Sequence, residues 1–421
     1  MKTNTHTNKA QQNEVIPAGY KNTKLGVIPE DWEVKRLGDV CNVNPNRGSL
    51  PSEFRYIDLS SVESGKLLRY NNINASKAPS RAKRLLEKND ILFQTVRPYQ
   101  KNNLFFEENE KFKYVASTGF AVLKSNYCNN FLYQYIYNSH FNHLVLMKCT
   151  GTSYPAINSE ELKTIKIPLP PLPEQKKIAD ILTTWDKAID QIENLIANTK
   201  LQKKYLMQEL LTGATRFNEF KTANNRYKET KLGRIPEDWE VVLIENCTIC
   251  LDNKRIPLNN EQRNKIPGKY PYWGANGIQG YINNYIFDEP IILLAEDGGN
   301  FHDYENKKIA NISYGKCWVN NHAHVLKSMQ KNKIEFIYYA LVHKNILAYV
   351  NSGTRTKLNK SDLLKIPLAL PPLPEQKKIA AALSTIDQEI EQLTQQQEIY
   401  KQEKKYLMQQ LLTGATRVRV D

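Results

Sequence analysis

The chain has 421 residues, with 58 lysines and arginines against 44 aspartates and glutamates, so its formal net charge is +14. Its hydrophobic content of 41% is enough for packed cores, and its length predicts about three structural units. Six cysteines are too few for a disulfide framework, and no apolar run is long enough to span a bilayer. The first residues are polar and lack the apolar region of a secretion signal. We therefore expect a cytoplasmic chain with no membrane partner.

The excess of positive charge has two interpretations. Both signs of charge are mixed along the chain, which is typical of a surface that only keeps a protein in solution. A polyanionic partner also explains it, and for an intracellular chain that partner is usually a nucleic acid. Composition alone does not decide between the two.

The first recognisable element is a block that occurs twice. Tyr20–Val34 reads YKNTKLGVIPEDWEV, and Tyr227–Val241 matches it at 13 of 15 positions. Because Trp32 and Trp239 are identical in the two copies, we expect both to be core anchors.

Two further blocks repeat in the same order. LPPLPEQKKIA occurs at Leu169–Ala179 and again at Leu370–Ala380. KKYLMQ(E/Q)LLTGATR occurs at Lys203–Arg216 and at Lys404–Arg417. The segments between the first and second blocks, from about 35 to 160 and from about 242 to 360, share little sequence. A duplicated frame with unlike inserts indicates one architecture used twice, with a task that differs between the halves.

Each frame contains a predicted long helix. Pro173 falls at the first turn, Glu174 follows it, and no glycine or proline occurs before Gly213. Such a helix has about 37 residues and a length of ~55 Å at 1.5 Å per residue.

Apolar residues recur in these helices at the spacing of a coiled-coil seam. We expect the two helices to pack on each other, as an antiparallel pair related by an internal pseudo-twofold axis. The alternative is that each helix packs on its own globular domain. The residues predicted to pair are Ile178, Leu182, Trp185, Ile189, Ile192, Ile196, Ile379, Leu383, Ile386, Ile390 and Leu393.

These blocks, in this order and present twice, resemble the specificity subunit of type I restriction-modification systems. The resemblance covers the chain from Tyr20 to Arg417. It implies an α+β fold with two target-recognition domains of mixed sheet and helices, joined by two long coiled-coil helices. It also implies that each domain reads one half of a bipartite, asymmetric DNA target, with the helices setting the spacing.

The resemblance further implies which molecules act together with this chain. The expected partners are double-stranded DNA, two copies of a modification subunit that methylates adenine at N6, and a restriction subunit that translocates and cuts DNA. S-adenosylmethionine, ATP and magnesium would serve those subunits, so we expect no cofactor and no catalytic or metal-binding residue here.

The sequence agrees with that division of labour. It contains neither a phosphate-binding loop G-x-x-x-x-G-K-[ST] nor the N/D-P-P-Y/F motif of an adenine methyltransferase. Two alternatives remain at this stage. One is an enzyme with its own methylation or cleavage site, and the other is a nonspecific DNA-binding or protein-interaction scaffold.

The predicted organisation follows the blocks along the chain. Its parts are a disordered tail at 1–19, a first recognition domain at 20–168, a central helical spacer at 169–216, a linker at 217–226, a second recognition domain at 227–369 and a distal helical spacer at 370–417.

In the first recognition domain, three segments carry side chains suited to DNA. A basic cluster precedes the apolar strand Asp90–Phe93, and a loop broken by Pro98 follows it with residue types able to contact base edges. A polar loop lies near the end of the domain. A solvated charge run is an equal explanation for the cluster. The candidates are Arg81, Lys83, Arg84, Gln94, Thr95, Arg97, Tyr99, Lys101, Asn102, Thr152, Ser153 and Tyr154.

The second domain offers a different set. An aromatic stretch beside glycine turns, Tyr270–Gly277, is as compatible with a buried anchor as with DNA contact. The strand Ile291–Leu294 is followed by a predicted turn at Asp297–Asn300. The candidates are Tyr272, Trp273, Asn276, Asn300, Asn320, Asn321, His322, Thr354, Arg355 and Lys357.

Cys247 and Cys250 have the spacing of half a zinc or redox site. No second pair of ligands accompanies them at a suitable distance. The repeat places Val40 opposite Cys247, so we expect an apolar packing position there.

Overall fold

The computed structural model describes residues 16–108, 111–221, 226–351 and 356–420. Most of the predicted tail at 1–19 lies outside these ranges. Contacts divide the chain into two compact units: one runs to Ile192 and also includes the segment from Gln396 onward, and the other spans Glu193–Gln395.

The first half of the chain alternates short strands with short helices before its long helix. Its strands are β1 (Tyr20–Thr23), β2 (Gly26–Pro29), β3 (Glu33–Arg36), β4 (Cys41–Val43), β5 (Glu53–Ile57), β6 (Val62–Glu63), β7 (Lys66–Leu67), β8 (Asn71–Asn74), β9 (Ala82–Leu85), β10 (Asp90–Gln94), β11 (Leu104–Phe106), β12 (Tyr114–Ser117), β13 (Phe120–Ser125) and β14 (Lys166–Leu169). Its helices are α1 (Leu37–Val40), α2 (Asn129–Tyr135), α3 (Ser139–Met147), α4 (Ser159–Lys163) and α5 (Leu172–Thr212).

The second half has a similar succession of elements. Its strands are β15 (Tyr227–Thr230), β16 (Gly233–Pro236), β17 (Glu240–Leu243), β18 (Thr248–Cys250), β19 (Pro267–Gly274), β20 (Gly277–Ile282), β21 (Phe287–Asp288), β22 (Ile291–Ala295), β23 (Ala310–Ser313), β24 (Lys316–Val319), β25 (Ala323–Ser328) and β26 (Pro367–Leu370). Its helices are α6 (Ile244–Cys247), α7 (Asn260–Asn264), α8 (Ile334–Val342), α9 (Lys360–Leu363) and α10 (Leu373–Leu411).

Each half builds two four-stranded sheets. In the first half their orders are β11-β10-β13-β4 and β8-β5-β12-β9, and in the second half they are β23-β22-β25-β18 and β20-β19-β24-β21. The central strands β10 and β22 are buried along their whole length, as their apolar runs predict. A two-stranded ladder, β3–β14 or β17–β26, joins the IPEDWE block of each half to its LPPLPEQ block. The predicted α+β fold is confirmed.

The long helices have 41 and 39 residues, slightly more than the ~37 predicted, and α5 ends directly before the predicted stop at Gly213. Gly213, directly after α5, has φ +71, a conformation that costs L-residues about 1–2 kcal/mol. A Cβ atom on Gly213 would lie 2.5 Å from Pro236, so glycine is required there for close packing as well as for the turn.

The helices pack both on each other and on the globular parts. In the first unit, Ile178 and Leu182 of α5 share a core with Leu411 of α10 and with first-half residues such as Phe93. In the second unit, the end of α5 and the start of α10 share a core with the second half in the same way. Each long helix therefore packs both on the other long helix and on its own globular domain, so the two packing alternatives from the sequence occur together.

Contacts within each unit give the helices opposite directions. In the first unit Trp185 of α5 makes an edge-to-face contact with Tyr400 of α10, 5.3 Å between ring centroids. Lys404 donates to Asp186 in that unit, and Lys203 donates to Asp387 over 2.6 Å in the second. The start of each helix thus meets the end of the other, which is antiparallel pairing. The other predicted seam residues are buried (Ile192, Ile196, Ile379, Leu383) or half-buried (Ile189, Ile386, Ile390, Leu393).

Each unit contains a cluster of polar side chains around a buried glutamate, and we call this cluster the clamp. In the second unit the clamp consists of Arg216, Asp238, Trp239 and Glu375. Glu375 is 1% exposed and accepts two hydrogen bonds from the Arg216 guanidinium, at 2.7 and 2.8 Å, and one from the Trp239 indole at 3.0 Å. Arg216 also makes a two-point contact with Asp238.

The first unit repeats the clamp with Arg417, Asp31, Trp32 and Glu174, in which Arg417 donates to both carboxylates. The hydrogen bond to Glu174 raises the pKa of Arg417 above its already high value. Burial acts in the opposite direction but has the smaller effect. Trp32 and Trp239 are fully buried, which confirms them as core anchors.

We predict that Arg216→Met lowers the free energy of unfolding of the second unit by about 3–5 kcal/mol, because it leaves the buried Glu375 without its cation. Arg417→Met should have a smaller effect, since the Arg417 side chain is 39% exposed and solvent already screens its ion pair. Urea unfolding followed by tryptophan fluorescence measures both.

The control is the double variant Arg216→Met/Glu375→Gln, in which no buried charge is left unpaired. It should be more stable than Arg216→Met alone. A double variant that is no more stable would contradict the clamp as a charge-neutralising device.

Candidate nucleic-acid interface

The first predicted DNA-contacting loop follows the buried strand β10. The Thr95 amide donates to Gly119 O over 2.9 Å, and the Thr95 carbonyl accepts from the Ile157 amide at 3.0 Å. The Arg97 amide donates to Pro155 O at 2.7 Å. Three chain segments, around residues 95, 119 and 155, are thus fixed together at one end of the sheet.

Two of the sequence candidates in this loop support it from inside. Gln94 is 2% exposed, donates to Gln100 and accepts from the Asn102 amide. Thr95 is 7% exposed, and its hydroxyl donates to Gly119 O. We expected Gln94 to be exposed in the loop at Pro98, and that expectation is wrong; the candidate Thr95 is buried as well. Buried side chains with satisfied hydrogen bonds hold a loop and are not available to a base edge.

Arg97 and Tyr154 come together on the outside of this loop. The Arg97 guanidinium lies 4.3 Å from the centroid of the Tyr154 ring, and Tyr154 is 63% exposed. Arg97 has φ +54 and Lys101 has φ +55, values that are rare for residues other than glycine and cluster at binding sites.

The other first-domain candidates differ in exposure. Arg81 is exposed, and its carbonyl accepts from the Thr118 amide, which places it beside the Gly119 segment. Arg84 is half-buried, and burial lowers its pKa. The remaining candidates are exposed (Lys83, Tyr99, Thr152, Ser153) or half-buried (Lys101, Asn102).

The second half holds a loop at the corresponding place with the same backbone hydrogen bonds. The Glu296 amide donates to His322 O over 2.8 Å, and the Leu358 amide donates to Glu296 O over 2.7 Å. The Gly298 amide donates to Thr356 O over 3.4 Å. The strand pairs that precede the two loops have the same register relative to them. Gln94 pairs with Phe120 in the first half, and Ala295 pairs with Ala323 in the second.

Three of the sequence candidates, Asn276, His322 and Lys357, lie around this second loop. Asn276 donates to Gly298 O at 2.9 Å, and Lys357 forms an ion pair with Glu296 at 3.2 Å. Asn321 is exposed next to His322, whereas Asn300 donates to Lys308 O. Thr354 and Arg355 lie outside the described residues.

The aromatic stretch is mainly structural. Tyr272 is 1% exposed, and its hydroxyl donates to Leu258 O and accepts from the Leu258 amide. Trp273 is half-buried. Asn320 is 4% exposed, and its backbone N–H donates to Trp273 O. The buried-anchor interpretation therefore fits Tyr272, and burial removes Asn320 from direct contact with DNA.

Residues that the sequence analysis did not select as contacts build the rest of this site. Asp297 Oδ1 lies within hydrogen-bond distance of His322 Nδ1, at 2.7 Å. Behind it, Asp252 lies 2.6 Å from His324 Nδ1, and Arg255 donates to Glu296 at 2.7 Å. The turn at Asp297 was predicted, but the partners of these residues are distant in sequence, so no local signal could have identified them.

Asp252, Glu296 and His324 also have ligand atoms within 4.8 Å of one another, as in a metal site. However, His324 Nε2 contacts Leu358 O at 2.8 Å, so both ring nitrogens already face oxygen acceptors. Arg255 lies against both carboxylates. Burial works to raise the pKa of Asp252, but the hydrogen bond to His324 and the Arg255 charge lower it on balance. The cluster is a satisfied ion-pair network that ties the second loop to strand β25.

Cys247 lies in the core of the second unit and is 1% exposed, which confirms the predicted packing position. Burial raises the pKa of its thiol to about 12. Val40 is likewise buried in the first unit. Within the described ranges, none of the helices is both long and apolar enough to cross a membrane.

The sequence profile of the type I restriction modification DNA specificity domain matches residues 29–201 and 236–401. The chain belongs to this family. A DNA specificity subunit recognises DNA sequence and is not itself catalytic; catalysis in a type I system belongs to other subunits. The specificity subunit therefore functions in a complex with other subunits and DNA.

Among curated relatives, the type I restriction enzyme MjaVIII specificity subunit of Methanocaldococcus jannaschii is 26% identical over 426 residues, covering 93% of this chain and 94% of that protein. The crystal structure of the type I restriction-modification S subunit from M. genitalium matches with a TM-score of 0.60 at 15% identity, over 90% of this chain and 96% of that one. A chain from a study of complex assembly in the type I restriction-modification system matches with a TM-score of 0.52 at 20% identity, over 92% and 99%. These structures support the fold of the specificity subunit.

We predict that the Asp252–His324 network needs no metal ion. Treatment with EDTA should leave the midpoint of thermal unfolding unchanged, and added zinc should not raise it. His324→Ala should destabilise the second unit by about 1–3 kcal/mol, because buried Asp252 loses a hydrogen-bond partner. Stoichiometric metal in the purified protein, lost in His324→Ala, would contradict this assignment.

Proposed function

We propose that this specificity subunit reads a bipartite, asymmetric DNA sequence, with one half-site read by residues 20–168 and the other by residues 227–369. The observation that carries the proposal is the pair of loops at Thr95–Arg97 and Glu296–Gly298. Matching backbone hydrogen bonds hold them at equivalent places, yet their side chains differ. Equivalent placement suits one kind of ligand, and unlike side chains suit two different half-sites.

The helical spacers at 169–216 and 370–417 set the distance between the half-sites in this proposal. Nonspecific attraction comes from the net charge of +14. It weakens as the salt concentration rises, because the counterions that the protein displaces from the DNA then gain less entropy on release. Base readout then selects among sites that are all attracted electrostatically.

The proposed partners are two modification subunits and, in the full complex, a restriction subunit that translocates and cuts DNA. Tyr205 and Tyr406 occupy equivalent positions in the two KKYLMQ blocks and are 62% and 61% exposed. Large exposed aromatic side chains are enriched at protein interfaces. Two equal exposed positions on a duplicated frame favour two copies of one partner. S-adenosylmethionine, ATP and magnesium would bind to those partners.

Reconstitution tests the division of labour. We predict that the chain alone, with S-adenosylmethionine, methylates no DNA, and that adding the modification subunit produces adenine methylation within one bipartite sequence. Methylation by the chain alone would favour an enzyme with its own active site. Equal affinity of the complex for all duplexes at fixed salt would favour a nonspecific scaffold.

A second prediction concerns the spacer. Inserting four residues at Asn198–Lys200, about one helical turn, should lengthen the gap between the half-sites while both half-sites stay the same. Replacing those three residues by alanine is the matched control, because it keeps the length and should keep the spacing. Sequencing of methylated sites reports the result, and an unchanged gap after insertion would refute the ruler.

A further inference from the structure

The second unit contains a groove that combines apolar side chains with lysines. Its volume is about 1010 Å³, and all of its lining residues lie within 193–395, so it belongs to that unit alone. Helices α5, α8 and α10 and strands β16 and β26 contribute to its walls. None of its lining residues belongs to the two loops proposed to read DNA. Its larger apolar side chains include Leu201, Met207, Leu211, Ile235 and Ile390.

The charges around this groove are unbalanced. Among the described residues, five lysines line it against two acidic residues, Asp387 and Glu305. Asp387 is already paired, because it accepts from Lys203 over 2.6 Å and from the Tyr339 hydroxyl over 2.8 Å. The remaining cations form no ion pair with any residue in the described ranges, and they are Lys200, Lys204, Lys308 and Lys344.

The surroundings of these lysines disfavour so much positive charge. Partial desolvation and the charge of Lys203 lower the pKa of Lys308, although Asp387 acts in the opposite direction. Desolvation likewise lowers the pKa of Lys344. Burial is the main cause of a lowered pKa at His343, and the charges of Lys203 and Lys308 add to it. A negatively charged ligand would relieve this repulsion, so electrostatics favour an acidic occupant.

The groove as a whole is not a property of the duplicated frame. Leu201 is 67% exposed, and its counterpart two residues before the second KKYLMQ block is the polar Gln402. Lys308 and Lys344 come from the second insert, which shares little sequence with the first. An occupant that uses these three side chains therefore has one binding place per chain. The two modification subunits are instead expected at the duplicated tyrosines of the KKYLMQ blocks.

We propose that this groove binds one acidic amphipathic helix of a partner protein, with its apolar face on Met207 and Leu211 and its carboxylates beside the lysines. Helices that dock in apolar grooves do so with residues at i, i+3, i+4 and i+7. The volume is at the upper limit of small-molecule pockets, about 300–1,000 Å³, which favours a peptide segment. DNA is disfavoured, because phosphates contact cations and have nothing to place against the apolar side chains.

The first test titrates the full chain with a synthetic helix of about 14 residues, which carries leucines at the helical spacing and glutamates on the other face. Calorimetry should show one peptide bound per chain, and a peptide of the same composition in scrambled order should not bind. Leu201→Gln should weaken binding about 10-fold or more, because the exposed leucine is buried on docking. Leu195→Gln is the matched control, since Leu195 is an exposed leucine of the same helix outside the groove, and it should change nothing.

The second test removes charge. Lys308→Gln/Lys344→Gln should weaken binding of the same peptide by about 2- to 30-fold, and the difference from the wild type should shrink as salt screens the charges. Lys254→Gln/Lys365→Gln removes two exposed lysines of the same unit outside the groove, and it should leave binding unchanged. Thermal unfolding followed by circular dichroism checks that each variant is folded like the wild type.

Several results would overturn the proposal. They are the absence of saturable binding up to millimolar peptide, equal binding of the scrambled peptide, and equal weakening by the control variants. Displacement of the peptide by a duplex oligonucleotide would make the lysines phosphate contacts, and equally tight displacement by decanoate would make the groove a site for small anionic amphiphiles. These measurements need neither base readout nor a modification subunit. Their failure therefore leaves the proposed function untouched, and a failure of DNA recognition leaves the groove untouched.

Discussion

The buried carboxylates of Glu174 and Glu375 are the constraint on which the rest of this structure depends. A carboxylate removed from water is strongly unfavourable unless hydrogen bonds and a cation compensate it. Each of these receives a tryptophan indole from the IPEDWE block and an arginine from the LLTGATR block. Since the arginine stands at the end of the other repeat's helix, each unit closes only when blocks from both repeats meet.

The clamp explains why the repeated blocks are nearly identical while the inserts are not. Loss of a clamp arginine leaves a buried glutamate without its cation, and a Cβ atom at Gly213 or Gly414 would collide with Pro236 or Pro29. The two loops that we propose to read DNA, Thr95–Arg97 and Glu296–Gly298, have no such restriction. They attach to the sheets through backbone hydrogen bonds, which are indifferent to side-chain identity, so their chemistry can change without disturbing the frame.

The two halves support their loops by different polar networks. The first uses the amides of Gln94, Gln100 and Asn103, and the second uses the ion pairs of Asp252, Arg255, Glu296 and His324. In the first network Gln94 and Asn103 are buried and Gln100 is exposed, whereas every member of the second is buried or half-buried. Hydrogen bonds between such groups help to hold a site rigid. The proposed division of binding energy follows from this arrangement: dispersed lysines and arginines attract DNA, and a few held side chains select the sequence.

The sequence by itself determined the frame, because its signals are local or repeated. Proline and glycine set the ends of α5, apolar spacing defined the seam, and the duplicated blocks implied one architecture built twice. Only the tertiary structure decided which of the candidate residues are exposed. Gln94 and Thr95 are buried, and Asp297 contacts His322 from the turn before β25. Exposure and long-range pairing arise when distant segments pack together, and residue type and local spacing do not encode them.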